Sequence, residues 1–105
     1  MNQEELQVAA FEIILNSGNA RATVHEAFSE MREGHYDEAE EKLDLANTEL
    51  VEAHRAQTKL LQDYASGIEM KMEIIMVHAQ DHLMTTMTLR EVALEMLNLY
   101  RKIEQ

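Results

Sequence analysis

His78, Asp81 and His82 are the residues of this 105-residue chain whose types and spacing could do chemistry. They read H-x-x-D-H, and on a helix positions i, i+3 and i+4 fall along one side. Two imidazoles and a carboxylate so placed could ligate a metal or make a nucleophile with a polar neighbour. The zinc-protease pattern H-E-x-x-H does not apply, because Ala79 stands where that chemistry needs its general base. Each histidine taken alone also fits a simpler role, hydrogen-bonded inside a core.

The flanks sharpen the reading. Residues 74–89 run IIMVHAQDHLMTTMTL, with no Lys, Arg or Glu and a single Asp. An amphipathic surface helix shows a charged face at every turn. Here Ile75, Met76, Ala79, Leu83, Thr86 and Met87 fall on one face, and Ile74, Val77, Asp81, Met84, Thr85 and Thr88 largely on another. Two helices of the same chain can cover the first face, and the second then calls for other copies of the chain. Gln80, Asp81, Thr85, Thr86 and Thr88 are polar groups in an apolar stretch, costly to bury unless paired. Asp81 is the sharpest case: a buried carboxylate must find a cation, a proton or strong hydrogen bonds.

The elements that position these residues read as three helices. The first spans about 3–32, with apolar Leu6, Phe11, Ile14, Leu15, Val24, Ala27, Phe28 and Met31 mostly three or four apart. Asn16-Ser17-Gly18-Asn19 in its middle is either a break or a place where another helix comes close. Gly34 suits the residue after a helix end, and Asp37 with Glu40 fits a cap for a second helix over about 37–64. Ala39, Leu43, Ala46, Leu50, Ala53, Gln57 and Leu60 line one stripe of it. Ser66-Gly67 ends that helix, and Ser66 with Glu69 predicts the start of a third, running about 68–103. The expectation is one all-α domain over residues 1–105, a three-helix antiparallel bundle.

Composition agrees and excludes. Proline is absent, glycine occurs three times and aromatic residues make up 5%, which suits helices better than sheet. The formal charge is -11, with 13 acids and 3 bases in residues 1–52 against 7 and 6 in the remainder. That argues against nucleic acid and against an anionic membrane surface. The acidic half either steers a basic partner or simply keeps the surface solvated. Cysteine is absent, so there is no disulfide framework, zinc ribbon or thiolate. No signal-like segment and no apolar run of spanning length is present, so no membrane insertion and a cytoplasmic location are expected. The eight methionines follow the helical stripes and read as core filler. His35 falls in a turn and reads as solvated.

The segment Val77-His78-Ala79-Gln80-Asp81-His82-Leu83-Met84-Thr85-Thr86 resembles the active-site signature of the lactose/cellobiose-type IIA components of the bacterial sugar phosphotransferase system. Phe11-Glu12-Ile13-Ile14, Ser17-Gly18-Asn19-Ala20-Arg21, Gly34-His35-Tyr36-Asp37-Glu38-Ala39 and Glu52-Ala53-His54-Arg55-Ala56-Gln57-Thr58 are similar to further stretches of that family. The likeness runs from about residue 4 to residue 102 with no departure at the key positions.

The resemblance implies a phosphocarrier. The residue matching His78 accepts a phosphoryl group from phospho-HPr and passes it to a cysteine of a cognate IIB component during disaccharide uptake. The residue matching Asp81 meets its two symmetry copies on a trimer axis around a divalent ion, usually magnesium, one per trimer. Three protomers make a nine-helix bundle. Neutral imidazole is a competent nucleophile, and in-line phosphoryl transfer asks mainly for positioning and electrostatic complement. Nε2, at the tip of the ring, is the expected acceptor atom of His78. Gln80 and His82 are expected to line the pocket, with His54 and Gln57 approaching from the second helix; structural pairing of those four is the competing view. His25 and His35 take no family role. Leu15-Asn16-Ser17-Gly18 leans towards the cellobiose/chitobiose branch over the lactose branch. Two other functions stay open on the residues alone: a non-catalytic acidic helical adaptor, and a small divalent-metal-binding bundle.

Overall fold

Buried residues of this chain recur at alternating intervals of four and three, and that rhythm sets the architecture. The computed structural model describes residues 2–104. It contains three helices, α1 (Gln3–Arg32), α2 (Tyr36–Ala65) and α3 (Ile74–Glu104). On α1 the seam runs Leu6, Ala10, Ile13, Ser17, Ala20, Val24, Ala27 and Met31. On α2 it runs Ala39, Leu43, Ala46, Leu50, Ala53, Gln57 and Leu60. On α3 it runs Met76, Ala79, Leu83, Thr86, Ala93 and Leu97, with half-buried Arg90 in step between Thr86 and Ala93. A strict seven-residue repeat keeps one seam facing its partners and favours gentle left-handed wrapping over steep crossing. All three helices pack on one another, in a rod of 54 × 20 × 18 Å.

Two glycines make the sharp ends. Gly34 (φ 80°) and Gly67 (φ 89°) take the left-handed conformation that a side chain disfavours. After α1, His35 N–H donates to the Glu30 carbonyl at 2.8 Å and Gly34 N–H to Met31 at 3.1 Å. After α2, Ile68 N–H donates to Asp63 and Gly67 N–H to Tyr64, both at 3.1 Å. Each is the paired closure that satisfies the last carbonyls of a helix.

Three sequence expectations need correction. Asp37 does not cap α2: His35 is the capping residue, through its carbonyl to Ala39 N–H at 3.0 Å and with no side-chain cap. Asp37 and Glu40 instead take the guanidinium of Arg101 at 3.0 and 3.1 Å, tying the end of α3 to the start of α2. The third helix begins at Ile74 and not at 68. Ser66 closes α2, its Oγ donating to the Gln62 carbonyl at 2.9 Å. Residues 68–73 run without helix to Glu73, whose carboxylate accepts from Gln3 and, at 3.2 Å, from Gln7. That contact sets the start of α3 level with the start of α1, so earlier turns would project past the bundle with nothing to pack on. Lastly, Phe11 and Leu15 of the expected α1 stripe are exposed, while Ala10, Ile13, Ser17 and Ala20 are buried in their stead.

Candidate functional site

The dry stretch of α3 divides as its sequence suggests. Met76, Ala79, Leu83 and Thr86 are buried against α1 and α2, with Ile75 and Met87 half-buried beside them. Ile74, Val77, His78, Asp81, Met84, Thr85 and Thr88 are exposed on the far side of the helix. Farther along, Val92, Leu99 and Ile103 continue the same exposed stripe, so a single protomer leaves an apolar face over most of α3. Asp81 sits in the middle of that face.

His78 and His82 meet as i, i+4 neighbours should. Their ring centroids are 6.1 Å apart and their planes differ by 19°. His78 is exposed and His82 half-buried. The backbone under them is braced by hydroxyls: Thr86 Oγ1 donates to the His82 carbonyl at 2.7 Å, and Thr85 Oγ1 to the Asp81 carbonyl at 2.8 Å. Such back-bonding satisfies hydroxyls in a stretch without other partners.

Gln80 lies on the other flank of α3. It accepts from Gln57 Nε2 of α2 and donates to the Met76 sulfur at 3.9 Å. Gln57 is therefore a buried amide paired across the helix interface. Gln80 also lines a crevice of about 470 Å³ with Leu6, Leu60, Tyr64 and Met76. His54 is exposed on α2, at a groove of about 760 Å³ lined also by Arg55, Lys59, Met87 and Arg90. His78 lines neither cavity. Within one chain, then, His82 alone of the four supporting candidates stacks on His78, while Gln57, Gln80 and His54 gather on the α2 side.

Asn16-Ser17-Gly18-Asn19 is not a break, since α1 runs straight through it. A Cβ built on Gly18 would stand 3.7 Å from His82 Nε2, so α1 passes close to that ring there. Ser17 next to it is fully buried, and its Oγ is the one buried side-chain polar atom among the described residues without a hydrogen-bond partner. Of the two options that the Asn16-Ser17-Gly18-Asn19 run allows, the close approach is the one observed. The sequence carries no signal for the orphaned hydroxyl, because Ser is tolerated at many helix positions.

A divalent ion would need more than one chain supplies. Among the described residues no three His, Cys, Asp or Glu side chains gather as a metal site. Asp81 offers hard oxygen donors of the kind magnesium prefers, yet one carboxylate is a fraction of a ligand set. The residue fits the ion only where copies of it converge. No helix among the described residues is long and apolar enough to cross a membrane.

Residues 8–101 match the family described as "PTS system, Lactose/Cellobiose specific IIA subunit". The lichenan-specific phosphotransferase enzyme IIA component of Bacillus subtilis (strain 168) is 44% identical over 102 residues, covering 97% of this chain and 93% of that protein. The crystal structure of PtcA from S. mutans superposes with a TM-score of 0.95 at 76% identity, over 96% of this chain and 99% of that one. The IIA(Chitobiose) solution structure from Escherichia coli, solved in complex with HPr, has a TM-score of 0.82 at 36% identity, covering 95% and 97%.

Proposed function

The chain belongs to the lactose/cellobiose-specific IIA family of the sugar phosphotransferase system, and from that premise we propose that His78 Nε2 is the atom on which it carries phosphate. A IIA component is a phosphohistidine carrier: it takes a phosphoryl group from phospho-HPr and hands it to a IIB partner. Membership sets aside the acidic adaptor and the metal bundle as functions.

One observation carries the assignment to His78. It is the exposed member of a stacked histidine pair set in a stretch of α3 whose one charged residue is Asp81. In the first transfer the Nε2 lone pair attacks phosphorus, the donor's P–N bond breaks, and that electron pair returns to the donor imidazole. In the second, a cysteine thiolate of the IIB component attacks the same phosphorus, and the His78 P–N bond breaks with its electrons returning to the ring. Neither step needs a general acid at phosphorus, so accessibility and orientation dominate. His82, close to α1 at Gly18, keeps the stacked ring in place. His54, Gln57 and Gln80 support the transfer less directly, from the α2 side.

The assembly is a homotrimer in this reading, a nine-helix bundle that buries the exposed stripe of α3 around its axis. Three Asp81 carboxylates would then converge and hold one divalent ion, magnesium by donor chemistry. That ion would neutralise the mutual repulsion of the carboxylates. Leu15-Asn16-Ser17-Gly18 favours the cellobiose/chitobiose branch for the cognate disaccharide system.

The test is a relay of phosphoenolpyruvate, the upstream enzymes and histidine variants. Phosphorus NMR of the product should report the Nε2 isomer. His78→Gln should keep the helical spectrum and lose the acid-labile label, whereas His82→Gln should keep it. A label that survives in the His78 variant overturns the assignment. Elemental analysis should find one divalent ion per three chains, lost in Asp81→Leu.

A further inference from the structure

Where α1 passes His82 it presents a residue without a side chain. Gly18 is half-buried within a continuous helix, and nothing in its backbone conformation demands glycine. What faces it is His82 Nε2, 3.7 Å from the place a Cβ would occupy. The geometry points to Gly18 as a positioning residue for phosphoryl transfer: the space left by its missing side chain makes room for the His82 ring, and through that ring it governs the plane of His78. The inference rests on His78 being the acceptor.

The physical need is specific. The χ2 torsion of histidine is broad, so rotamer preference alone does not fix a ring plane. Side chains on a helix lean towards its N-terminus, which lays the His82 ring over the turn that carries His78. The His82 backbone is held by the Thr86 hydroxyl at 2.7 Å, leaving the ring torsions as the remaining freedom. His78 bounds the ring on one side, with the planes 19° from parallel. Gly18 lies across from its Nε2 edge, with room for a methyl group between them. A side chain larger than a methyl at position 18 would close that gap and push the His82 ring out of its stack with His78.

The spacing also sets a size threshold. A distance of 3.7 Å is ordinary van der Waals contact, so a methyl group fits. Atoms beyond Cβ have no room unless the ring moves. Gly18→Ala should therefore retain most of the transfer rate from phospho-HPr, and it should raise the melting temperature through better helix propensity. Gly18→Leu should displace the His82 ring and slow transfer at least tenfold.

A double-variant cycle separates positioning from a general dent in the bundle. In a His82→Ala background the ring is gone, so Gly18→Leu should change the remaining rate by less than twofold. Nitrogen-correlated NMR of the unphosphorylated protein supplies a readout independent of the acceptor's identity. Gly18→Leu should move the imidazole signals of His78 and His82 and leave those of His25, His35 and His54 in place. If the Leu variant loses its helical spectrum, Gly18→Val takes its place with the same expected results. An equal slowing in both backgrounds, or unmoved His78 and His82 signals, overturns the inference. Moved signals with phosphate on another residue would instead overturn the assignment of His78 as acceptor.

Discussion

Leu99→Lys should weaken the proposed trimer. Leu99 lies 18 residues past Asp81, about five turns along α3 and on the same meridian. In one chain it is 58% exposed, with Ile74 at 87% and Ile103 at 70% on the same stripe. Fully burying a leucine is worth about 2 kcal/mol, so covering this one contributes about 1 kcal/mol per protomer. Lysine forfeits that and brings an ammonium towards its two symmetry copies, at a desolvation cost of at least about 1 kcal/mol each. Over three protomers the loss is roughly 6 kcal/mol. That corresponds to about four powers of ten in the trimer dissociation constant. Sedimentation equilibrium is the assay. The unaltered protein should run at three times the 12.1 kDa chain mass, and the variant, its helical spectrum intact, should dissociate at a concentration about a hundredfold higher than the parent, because the constant carries the square of concentration. A variant as trimeric as the parent under dilution would refute the burial of this stripe, and a monomeric parent would refute the trimer itself.

Ser17→Ala should stabilise the protein by about 1 kcal/mol, since it removes a fully buried hydroxyl without a partner and improves helix propensity; a fall in the thermal midpoint would show that the hydroxyl is satisfied after all. Gly67→Ala should destabilise by roughly 1 kcal/mol or more, because the site is sterically open but its φ of 89° is hostile to a Cβ; an unchanged denaturation midpoint would contradict that. Hydrogen bonds from Gln7 and Gln3 hold the Glu73 carboxyl below its ordinary 4.5. The folded state thus favours the ionised form, and its contribution is present above pH 4.5 and lost as pH falls through the folded value. The stability gap between the parent and Glu73→Gln should be constant above pH 4.5 and narrow below it; a gap that widens in acid would reverse the sign.

Much of this fold could be read in the chain where strong apolar residues marked the seam. All seven residues of the α2 stripe are buried, and the two faces of α3 divide as their side chains demand. On α1 the pattern misled, because Phe11 and Leu15 outweigh the small residues of the true seam. Ala10, Ser17 and Ala20 carry little hydropathy, yet they sit where close packing selects for size. The start of α3 was hidden for a different reason. Ile68, Glu69, Met70 and Lys71 all tolerate helix, and only the level of α1's own beginning makes a longer α3 unprofitable. The Asp37 cap was a pattern match that lost to a tertiary partner, Arg101. At the site, the His78–His82 pairing follows from spacing on one helix. The room at Gly18 depends on how α1 is placed against α3, which no local rule supplies.

The seven-residue rhythm of the seams has a consequence for how uniquely they assemble. Alanines repeat at 39, 46 and 53 and leucines at 43 and 50, so sliding α2 past its neighbours by one repeat would again set small against large. A slip of about 10 Å would cost the apolar seam little beyond its ends. The few polar residues in and beside the seams do not repeat. Gln57 meets Gln80, Arg90 Nε reaches the Leu43 carbonyl at 2.8 Å, and Thr23 Oγ1 binds Glu49 at 2.9 Å. Shifted by seven, Gln57 would face Met87 or Glu73 instead of an amide and Thr23 would face Lys42 or Ala56 instead of a carboxylate, whereas Arg90 would only exchange one backbone carbonyl for another. Like a single polar residue in a zipper, the two side-chain pairs add little net stability and exclude the wrong alignments. Apolar replacements there should yield a rod that is no less helical but melts over a broader range, as populations in neighbouring alignments begin to compete.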